Sequence, residues 1–166
     1  MLPACHLSLL ADAFAKQGTA WPEGAEIHTG GEDWPDAYRY TPMAPSEALG
    51  CIVTWWHPGL GERVYQVYFG LLFGLPNAVT SFNRWSKLAE ALVRRLLAIL
   101  FFMYFDDGTM QDWARSAEVS QQCVQDLMAL FGSPWAPAKR QAASDEADFL
   151  GLLHNTTQAH RGKVVL

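Results

Sequence analysis

The sequence has little charge, few basic residues and no paired cysteines. Of its 166 residues, 17% are charged and 50% are hydrophobic, a balance typical of a folded domain and unlike that of a disordered chain. The formal net charge of −5 is a poor match to a polyanionic partner, so any nucleic-acid contact requires a local basic stripe. Cys5, Cys51 and Cys123 are far apart and form no CxxC pair. This pattern indicates reduced thiols rather than a disulfide framework or a zinc site.

Signals for secretion and membrane insertion are also missing. The first five residues lack the basic start and apolar core of a signal peptide. The most apolar stretch, residues 88–105, is interrupted by Glu90, Arg94 and Arg95, so we expect no membrane span. We therefore expect an intracellular protein, with its cytoplasmic or nuclear location left open. There is no internal repeat or low-complexity segment, and this length favours one domain.

Several common catalytic motifs are absent. No G-x-x-x-x-G-K-[ST] loop is present, although a P-loop nucleotide hydrolase needs one to cradle phosphates. The sequence has no G-x-S-x-G turn for a serine hydrolase, and its five histidines show no metal-binding spacing such as H-E-x-x-H. These three hydrolase mechanisms are therefore not expected.

The most distinctive stretch is an apolar run that ends in two adjacent acids. Residues 99–105 are aliphatic or aromatic at every position, which predicts a strand buried on both faces. Asp106 and Asp107 follow, and we expect Gly108 to supply the positive φ that a tight hairpin needs. Neighbouring carboxylates repel each other and favour a cation such as Mg²⁺ between them. The alternative is a solvated Asp-Asp-Gly turn that closes an ordinary hairpin.

The first half of the sequence predicts a helix, a loop and a hairpin. Residues 4–16 have a helical period, and the glycines and proline of residues 17–31 indicate a loop. Pro35 is excluded from a central strand, so the chain should turn after Asp33. Residues 50–56 and 63–69 are predicted to be the two strands of a hairpin.

The second half predicts two helices and further strands. One helix should run from about Ala78 to Leu97, and another from Ser116 to Phe131, ending at Gly132. We expect the apolar stripe of the second helix to be Val119, Cys123, Leu127 and Leu130. Residues 134–140 should be extended, residues 149–153 should form a short strand, and the polar tail after His154 should fray. This order favours an α+β fold of ferredoxin-like character, with an antiparallel sheet and two helices packed on one face.

Five short motifs follow one another in an order that resembles the palm of a reverse transcriptase, specifically of the gypsy-type retroelement kind. The resemblance runs from about Glu32 to Gly151. The motifs are Asp33-Trp34-Pro35-Asp36-Ala37-Tyr38-Arg39, similar to D-x-x-D-A-Y; Phe73-Gly74-Leu75-Pro76-Asn77-Ala78 with Phe82 and Arg84, similar to F-G-L-x-N-A-P-x-x-F; Tyr104-Phe105-Asp106-Asp107, matching Y-x-D-D; Lys139, at the position of a lysine after the second palm helix; and Phe149-Leu150-Gly151, matching F-L-G at the primer grip. Each motif alone is weak, and the set in this order is specific.

The resemblance implies an RNA-directed DNA polymerase, which extends a DNA primer on an RNA or DNA template with deoxynucleoside triphosphates. Asp33, Asp106 and Asp107 would hold Mg²⁺ (or Mn²⁺), and two such ions ~3.5–4 Å apart stabilise the attacking and leaving oxygens of a phosphoryl transfer. Lys139 would complete the catalytic set by donating to the leaving pyrophosphate. The alternative for Lys139 is a solvated lysine beside Arg140.

The resemblance also implies contacts to the nucleotide and to nucleic acid. Asp36 and Ala37 would offer backbone amides to the phosphates, and Tyr38 would exclude a 2′-hydroxyl; the alternative for Tyr38 is a core aromatic. Phe73 and Gly74 would lie beside the nucleotide and the template base. The predicted nucleic-acid contacts are Arg84, Lys87, Tyr104, Phe149, Leu150 and Gly151.

The resemblance divides the chain into three parts. Residues 1–31 would be a helix and loop that are a remnant of, or a replacement for, the fingers; residues 32–153 would be the palm; and residues 154–166 would be a polar tail. Fingers and thumb would be largely missing, and residues 27–32 are less apolar than a palm strand of the family. The rival hypothesis is therefore a degenerate, non-catalytic palm relic of a retroelement that acts at most as a nucleic-acid or protein interaction module. Activity of the isolated chain and its oligomeric state stay open.

Overall fold

The computed structural model describes residue 16 and residues 24–159. The helix predicted over residues 4–16, Cys5 and the end of the polar tail lie outside the described residues. Two compact units are present, one made of Met1–Pro35 with Ser86–Leu166 and the other of Asp36–Trp85. Along the chain the elements are β1 (Ile27–Asp33), the single turn α1 (Ala37–Tyr40), β2 (Ile52–His57), β3 (Glu62–Val67), α2 (Ala78–Leu92) with a π-helical turn (Val93–Leu97), β4 (Leu100–Tyr104), β5 (Asp107–Trp113), α3 (Ala117–Leu130), β6 (Gln141–Ser144), β7 (Glu146–Phe149) and β8 (Leu152–Asn155).

The first unit is built on a four-stranded antiparallel sheet with the order β4-β5-β1-β6. Because β4 and β5 form a hairpin between the two long helices, this is the strand order of a split βαβ, ferredoxin-like fold. Helix α3 packs against β1, β5 and β6 and against the π-helical turn. The core of the first unit includes five fully buried residues: Val93, Phe101, Met110, Val124 and Met128. The predicted α+β class, with an antiparallel sheet and helices packed on one face, is confirmed.

The prediction of a loop over residues 17–31 is wrong for residues 27–31, which form the first part of strand β1. Its residues Ile27 to Asp33 pair with β5 along their whole length, although the segment is rich in glycine and polar residues. The reason lies in α3, because a Cβ atom at Gly30 would be 3.0 Å from the Gln121 side chain. Glycine thus makes room for a buried polar side chain that hydrophobic periodicity does not anticipate.

Gln121 fills a break in the ladder between β1 and β6. The register of this pair shifts between Thr29 and Gly31. The Gln121 Nε2 atom donates to the carbonyl oxygens of Gln141 (2.8 Å) and Gly31 (3.3 Å), and its Oε1 atom accepts from Ala143 N (3.0 Å). A side-chain amide therefore replaces the missing backbone bonds, as buried polar groups of the backbone require.

The hairpin between β4 and β5 forms as predicted, but other residues form its turn. Tyr104 faces Asp107, so Phe105 and Asp106 are the two turn residues. The residue with positive φ is Phe105 (56°), whereas Gly108 has no left-handed backbone. Gly108 is required for space instead, because a Cβ atom there would lie 2.8 Å from Phe101 Cζ. The prediction that Gly108 supplies the turn conformation is wrong.

Helix α3 ends as predicted but buries a different face. Gly132 has φ of 72°, and its N–H and that of Ser133 donate to Ala129 O and Met128 O, both at 2.9 Å, in the pattern of a Schellman motif. The stripe predicted to be buried is wrong: Val119 and Leu130 are 67% and 82% exposed, and Cys123 is exposed. The buried residues are Ala117, Gln121, Val124 and Met128. This face places Gln121 against the strands.

The C-terminal region contains more structure than predicted. The extended segment predicted over residues 134–140 contains a 3-10 turn at Pro137–Lys139. The single strand predicted over residues 149–153 is a hairpin of β7 and β8, turning at Leu150 (φ 57°) and Gly151 (φ 74°). His154 is buried rather than the start of a frayed tail. The hydroxyl of Thr156 anchors the chain to Ile27 O at 2.5 Å.

The second unit contains the predicted hairpin. Strands β2 and β3 pair from Ile52 with Val67 to His57 with Glu62, and both strands are largely exposed. A small aromatic cluster surrounds Tyr38, which is 7% exposed. No helix within residues 24–159 is long and apolar enough to cross a membrane.

Candidate active site

Three aspartates meet where β1 ends and β5 begins. Asp33 and Asp107 are register partners on these antiparallel strands, so their side chains lie on the same face of the sheet. Asp106 precedes Asp107 in the turn, and its carbonyl oxygen accepts from Trp34 N at 3.2 Å. The structure therefore brings together the three residues predicted to hold metal.

Lys139 reaches this cluster from the 3-10 turn. Its Nζ atom lies 2.5 Å from Asp33 Oδ2 and 3.2 Å from Asp33 Oδ1. The turn is held to β1 by the backbone, because Ala136 N donates to Asp33 O at 2.8 Å. The Asp33 side chain is 14% exposed and that of Lys139 is 62% exposed, so the ammonium approaches the carboxylate from solvent. The predicted fourth member of the catalytic set is thus in contact with the first.

The charges of the cluster perturb one another. Burial raises the pKa of Asp107, and the charges of Asp106 and Asp33 raise it further, while Lys139 opposes the shift. The hydrogen bond to Asp33 raises the pKa of Lys139, followed by the charges of Asp33, Asp106 and Asp107, while burial opposes the shift. The negative charge of the carboxylates contributes to both shifts, after burial for Asp107 and after the hydrogen bond to Asp33 for Lys139.

The donor set suits a hard divalent cation. Carboxylate oxygens are the ligands that Mg²⁺ prefers. One of these carboxylates, that of Asp33, already forms an ion pair with the Lys139 ammonium. Within residues 24–159, no three His, Cys, Asp or Glu side chains are arranged closely enough to be a ready-made metal cage. The cluster thus fits a metal in its chemistry, and binding would require the carboxylates to turn together and Lys139 to move from Asp33.

A cleft of about 210 Å³ extends from the cluster. Asp33, Asp107 and Lys139 line one part of it, and the turn between β7 and β8 lines another. The lining residues from that hairpin are Asp148, Phe149, Leu150 and Gly151. Phe149 is buried, whereas Leu150 and Gly151 are exposed at the turn. The predicted primer-grip residues thus share one cavity with two of the aspartates.

Comparison with known proteins gives matches in structure and none in sequence. No family model and no curated protein match this sequence. Among solved structures, a foamy viral protease–reverse transcriptase in complex with dsDNA matches with a TM-score of 0.56 and 17% identity, over 78% of this chain and 26% of that chain. Telomerase from Candida albicans, in complex with a fragment of telomeric RNA, matches with a TM-score of 0.60 and 12% identity, over 94% of this chain and 32% of that chain.

The fold is reverse-transcriptase-like. This chain spans about a quarter to a third of the length of the two solved chains. At these identities the likeness concerns the fold alone.

The residues predicted to bind the nucleotide belong to the second unit. Asp36 has a left-handed backbone (φ 51°) and its carboxylate pairs with Arg39 at 3.2 Å, directly before α1, which begins at Ala37. Tyr38 packs between Phe73 and Phe82, each with ring centroids 4.6 Å away. Its burial agrees with the core-aromatic alternative. Nucleotide binding by this set stays a prediction.

Phe73 and Gly74 are exposed, as is Asp36 of the same set. The Phe73 side chain is 85% exposed although its ring touches Tyr38. Gly74 has φ of 89° with nothing within 4 Å of a Cβ atom, so it serves the backbone conformation and not close packing. A ligand could approach both residues from solvent.

The basic residues predicted to contact nucleic acid differ in their surroundings. Glu90 binds Lys87 at 2.9 Å and Arg94 at 3.0 Å, and the Arg94 guanidinium lies 4.7 Å from the centre of the Phe102 ring. These two cations are therefore partly neutralised by one carboxylate. Arg84 is exposed, and Tyr104 is 53% exposed with its ring edge against Phe105.

Sequence reasoning missed a buried polar cluster beside the site. It consists of Glu32, Gln121, Gln125 and Arg140. Burial raises the pKa of Glu32, while hydrogen bonds from Gln125 and Gln121 and the charge of Arg140 oppose the shift. The sequence does contain a signal for this cluster: Glu32 follows two glycines in β1, and Gln121 and Gln125 are one helical turn apart in α3. This signal is too weak to be recognised without the fold.

Proposed function

We propose that this chain is palm-domain sequence of an RNA-directed DNA polymerase of the gypsy-type retroelement kind. The observation that carries the proposal is the register pairing of Asp33 with Asp107, beside Asp106 and in contact with Lys139. Acids of this kind at the end of paired strands are what metal-dependent nucleotidyl transfer requires. The reverse-transcriptase-like fold supports the proposal, as do the nucleic acids bound in the two solved complexes.

In this proposal the three aspartates hold Mg²⁺ (or Mn²⁺), which when bound supplies Lewis-acid stabilisation of the attacking and leaving oxygens. The carboxylates of Asp33, Asp106 and Asp107 would hold the cation. Lys139 would leave Asp33 and offer its ammonium proton to the pyrophosphate leaving group, since a lysine side chain is protonated at neutral pH without any help from a neighbour. Phe149, Leu150 and Gly151 would support the primer in the same cleft.

The second unit would serve the incoming nucleotide and the template. Asp36 and Ala37 would bind phosphates through backbone amides, Tyr38 would exclude a 2′-hydroxyl, and Phe73 with Gly74 would lie beside the base pair. Arg84, Lys87 and Tyr104 would contact nucleic acid. Within this proposal residues 32–153 are the palm, joined by residues 27–31 of β1; the rest of residues 1–31 is a remnant of, or a replacement for, the fingers, and residues 154–166 are the tail, in an intracellular protein.

A non-catalytic palm relic is the second candidate. It is favoured by the ion pair that occupies Asp33 and by the lack of a ready-made three-residue metal cage within residues 24–159. In this case the fold would persist as a nucleic-acid or protein interaction module without nucleotidyl transfer.

Calorimetry of Mg²⁺ and Mn²⁺ binding separates the two candidates. The purified chain is compared with Asp106→Asn/Asp107→Asn, and with Asp126→Asn/Asp145→Asn as a control that removes the same charge at exposed positions. The polymerase proposal expects sub-millimolar binding that only the first variant loses. Primer extension with deoxynucleoside triphosphates is then measured on the same three proteins. A folded chain that binds neither metal would establish the relic.

A further inference from the structure

Two consecutive residues of β1 pair with two consecutive residues at the end of the 3-10 turn. Asp33 binds Lys139 at 2.5 Å, and Glu32 lies 3.7 Å from Arg140. Since successive side chains of a strand point to opposite faces, the two ion pairs lie on opposite faces of the sheet. Asp33, Lys139 and Glu32 all line the cleft, but the Glu32 side chain itself is fully buried and lies among the glutamines of α3.

The inner pair is less exposed than the outer one, since 25% of the Arg140 side chain is exposed, and it is held by further polar contacts. The Glu32 side chain is fully buried and accepts from Gln121 Nε2 at 2.9 Å and from Gln125 Nε2 at 3.1 Å. Arg140 Nη1 donates to Gln125 Oε1 at 3.1 Å and to Gln122 Oε1 at 3.4 Å. The Arg140 Nε atom is buried and too far from Glu32 Oε1 for a hydrogen bond, so this contact is electrostatic. A guanidinium held in this way has little freedom to move.

The outer pair lacks such support. The Lys139 side chain is 62% exposed, and an exposed lysine–carboxylate pair is weak because solvent screens it and a long flexible stem must be ordered. Its position therefore depends on its own backbone. That backbone is tied on one side by Lys139 N to Ala136 O at 3.0 Å, and on the other side by Arg140.

We propose that Arg140 is a positioning residue for Lys139. Its pair with Glu32 fixes the end of the turn against β1, and this keeps the Lys139 ammonium at Asp33. The role in catalysis rests on the proposed function, whereas the structural coupling does not. Glu32 and Arg140 are thus an inner pair that sets the geometry of the outer one.

The test is the rate at which Lys139 is acetylated by a pulse of N-hydroxysuccinimide acetate, followed by peptide mass spectrometry. Variants Arg140→Gln, Arg140→Lys and Glu32→Gln/Arg140→Gln are compared with the unaltered chain. Asp33→Asn removes the ion-pair partner of Lys139 and therefore gives the fastest acetylation rate expected for Lys139. Acetylation of Lys87, which pairs with Glu90, is the internal control. We expect Lys139 to react roughly two- to fivefold faster in the Arg140 variants, the range expected on losing an exposed ion pair. The Lys87 rate should not change.

Folding of each variant is checked by circular dichroism. Arg140→Gln leaves a buried carboxylate without its cation and can unfold, so the double variant, which removes both charges, decides the outcome. If that variant does not fold, Arg140→Lys decides, because it keeps the charge and loses the planar contacts. A folded deciding variant with unchanged Lys139 reactivity overturns the proposal. Acetylation needs neither metal nor nucleic acid, so failure of metal binding and primer extension would refute the proposed function separately.

Discussion

Replacing Gly108 tests how closely the residue after the acidic turn packs against the core. A methyl group in Gly108→Ala would lie 2.8 Å from Phe101 Cζ and 3.2 Å from Met103 Sδ. Phe101 is fully buried, and its ring packs edge-on against Trp135 with centroids 5.9 Å apart. The aromatic ring therefore cannot withdraw without disturbing a second aromatic residue.

The expected cost follows from two opposing effects. Overpacking of a core by one methyl group costs about 1–3 kcal/mol, while replacing glycine by alanine stiffens the unfolded chain and returns about 0.4–1 kcal/mol. Because the Gly108 backbone is not left-handed, no conformational penalty is added. We expect a net loss of about 1–2 kcal/mol in the free energy of unfolding, which lowers a urea midpoint by roughly 0.5–1 M.

Urea unfolding followed by tryptophan fluorescence measures this loss. Gly50→Ala is the matched control, because nothing lies within 4 Å of a Cβ atom there and its φ is not positive. The loss should shrink in a Phe101→Leu background, where the ring no longer stands in the way. A Gly108→Ala protein as stable as the unaltered chain would refute the steric explanation.

Two further predictions concern the site and its support. Burial and the Asp106 and Asp33 charges raise the pKa of Asp107 above its ordinary 3.8, so its contribution to stability is full below that pH and is lost as pH rises through the raised value. Asp107→Asn should therefore raise the Tm at pH 7 more than at pH 4, and equal shifts by differential scanning fluorimetry would contradict this. Gln121→Leu should lower the free energy of unfolding by roughly 2–5 kcal/mol in urea, because it strands several buried polar groups at once. Gln122→Leu, at an exposed neighbour, should cost much less, and equal losses would show that the buried contacts of Gln121 are unimportant.

The parts of the fold that the sequence predicts are those with a strong local signal. Strand β4 is recognisable from its unbroken apolar run. The hairpin of β2 and β3 is recognisable from two strand-like segments that flank a turn sequence. The apolar run before Asp106 and Asp107 predicts an acidic turn, the family resemblance adds Asp33 and Lys139, and the structure brings the four residues together. Their roles in binding metal and in catalysis stay predictions.

The parts that could not be predicted depend on distant partners. Strand β1 is polar and glycine-rich, and only the arrival of Gln121 from α3, 90 residues later in the chain, explains it. The buried face of α3 follows from the same contact. Gly108 is a glycine in a hairpin, and neither its φ nor the nearness of Phe101 is visible in a local window. A long-range contact overrides the local propensity in β1 and α3, and a contact across one hairpin decides the role of Gly108.

Glu90 has a consequence for solubility. Strand β4 lies at one edge of the sheet, and its sequence Leu-Phe-Phe-Met-Tyr is of the kind that pairs readily with strands of other molecules. The Glu90 carboxylate accepts from Met103 N at 3.2 Å, which occupies a backbone donor on that edge. Lys87 and Arg94 place two cations beside the same carboxylate. Glu90 thereby leaves one backbone donor fewer on this edge for a strand of another molecule to pair with.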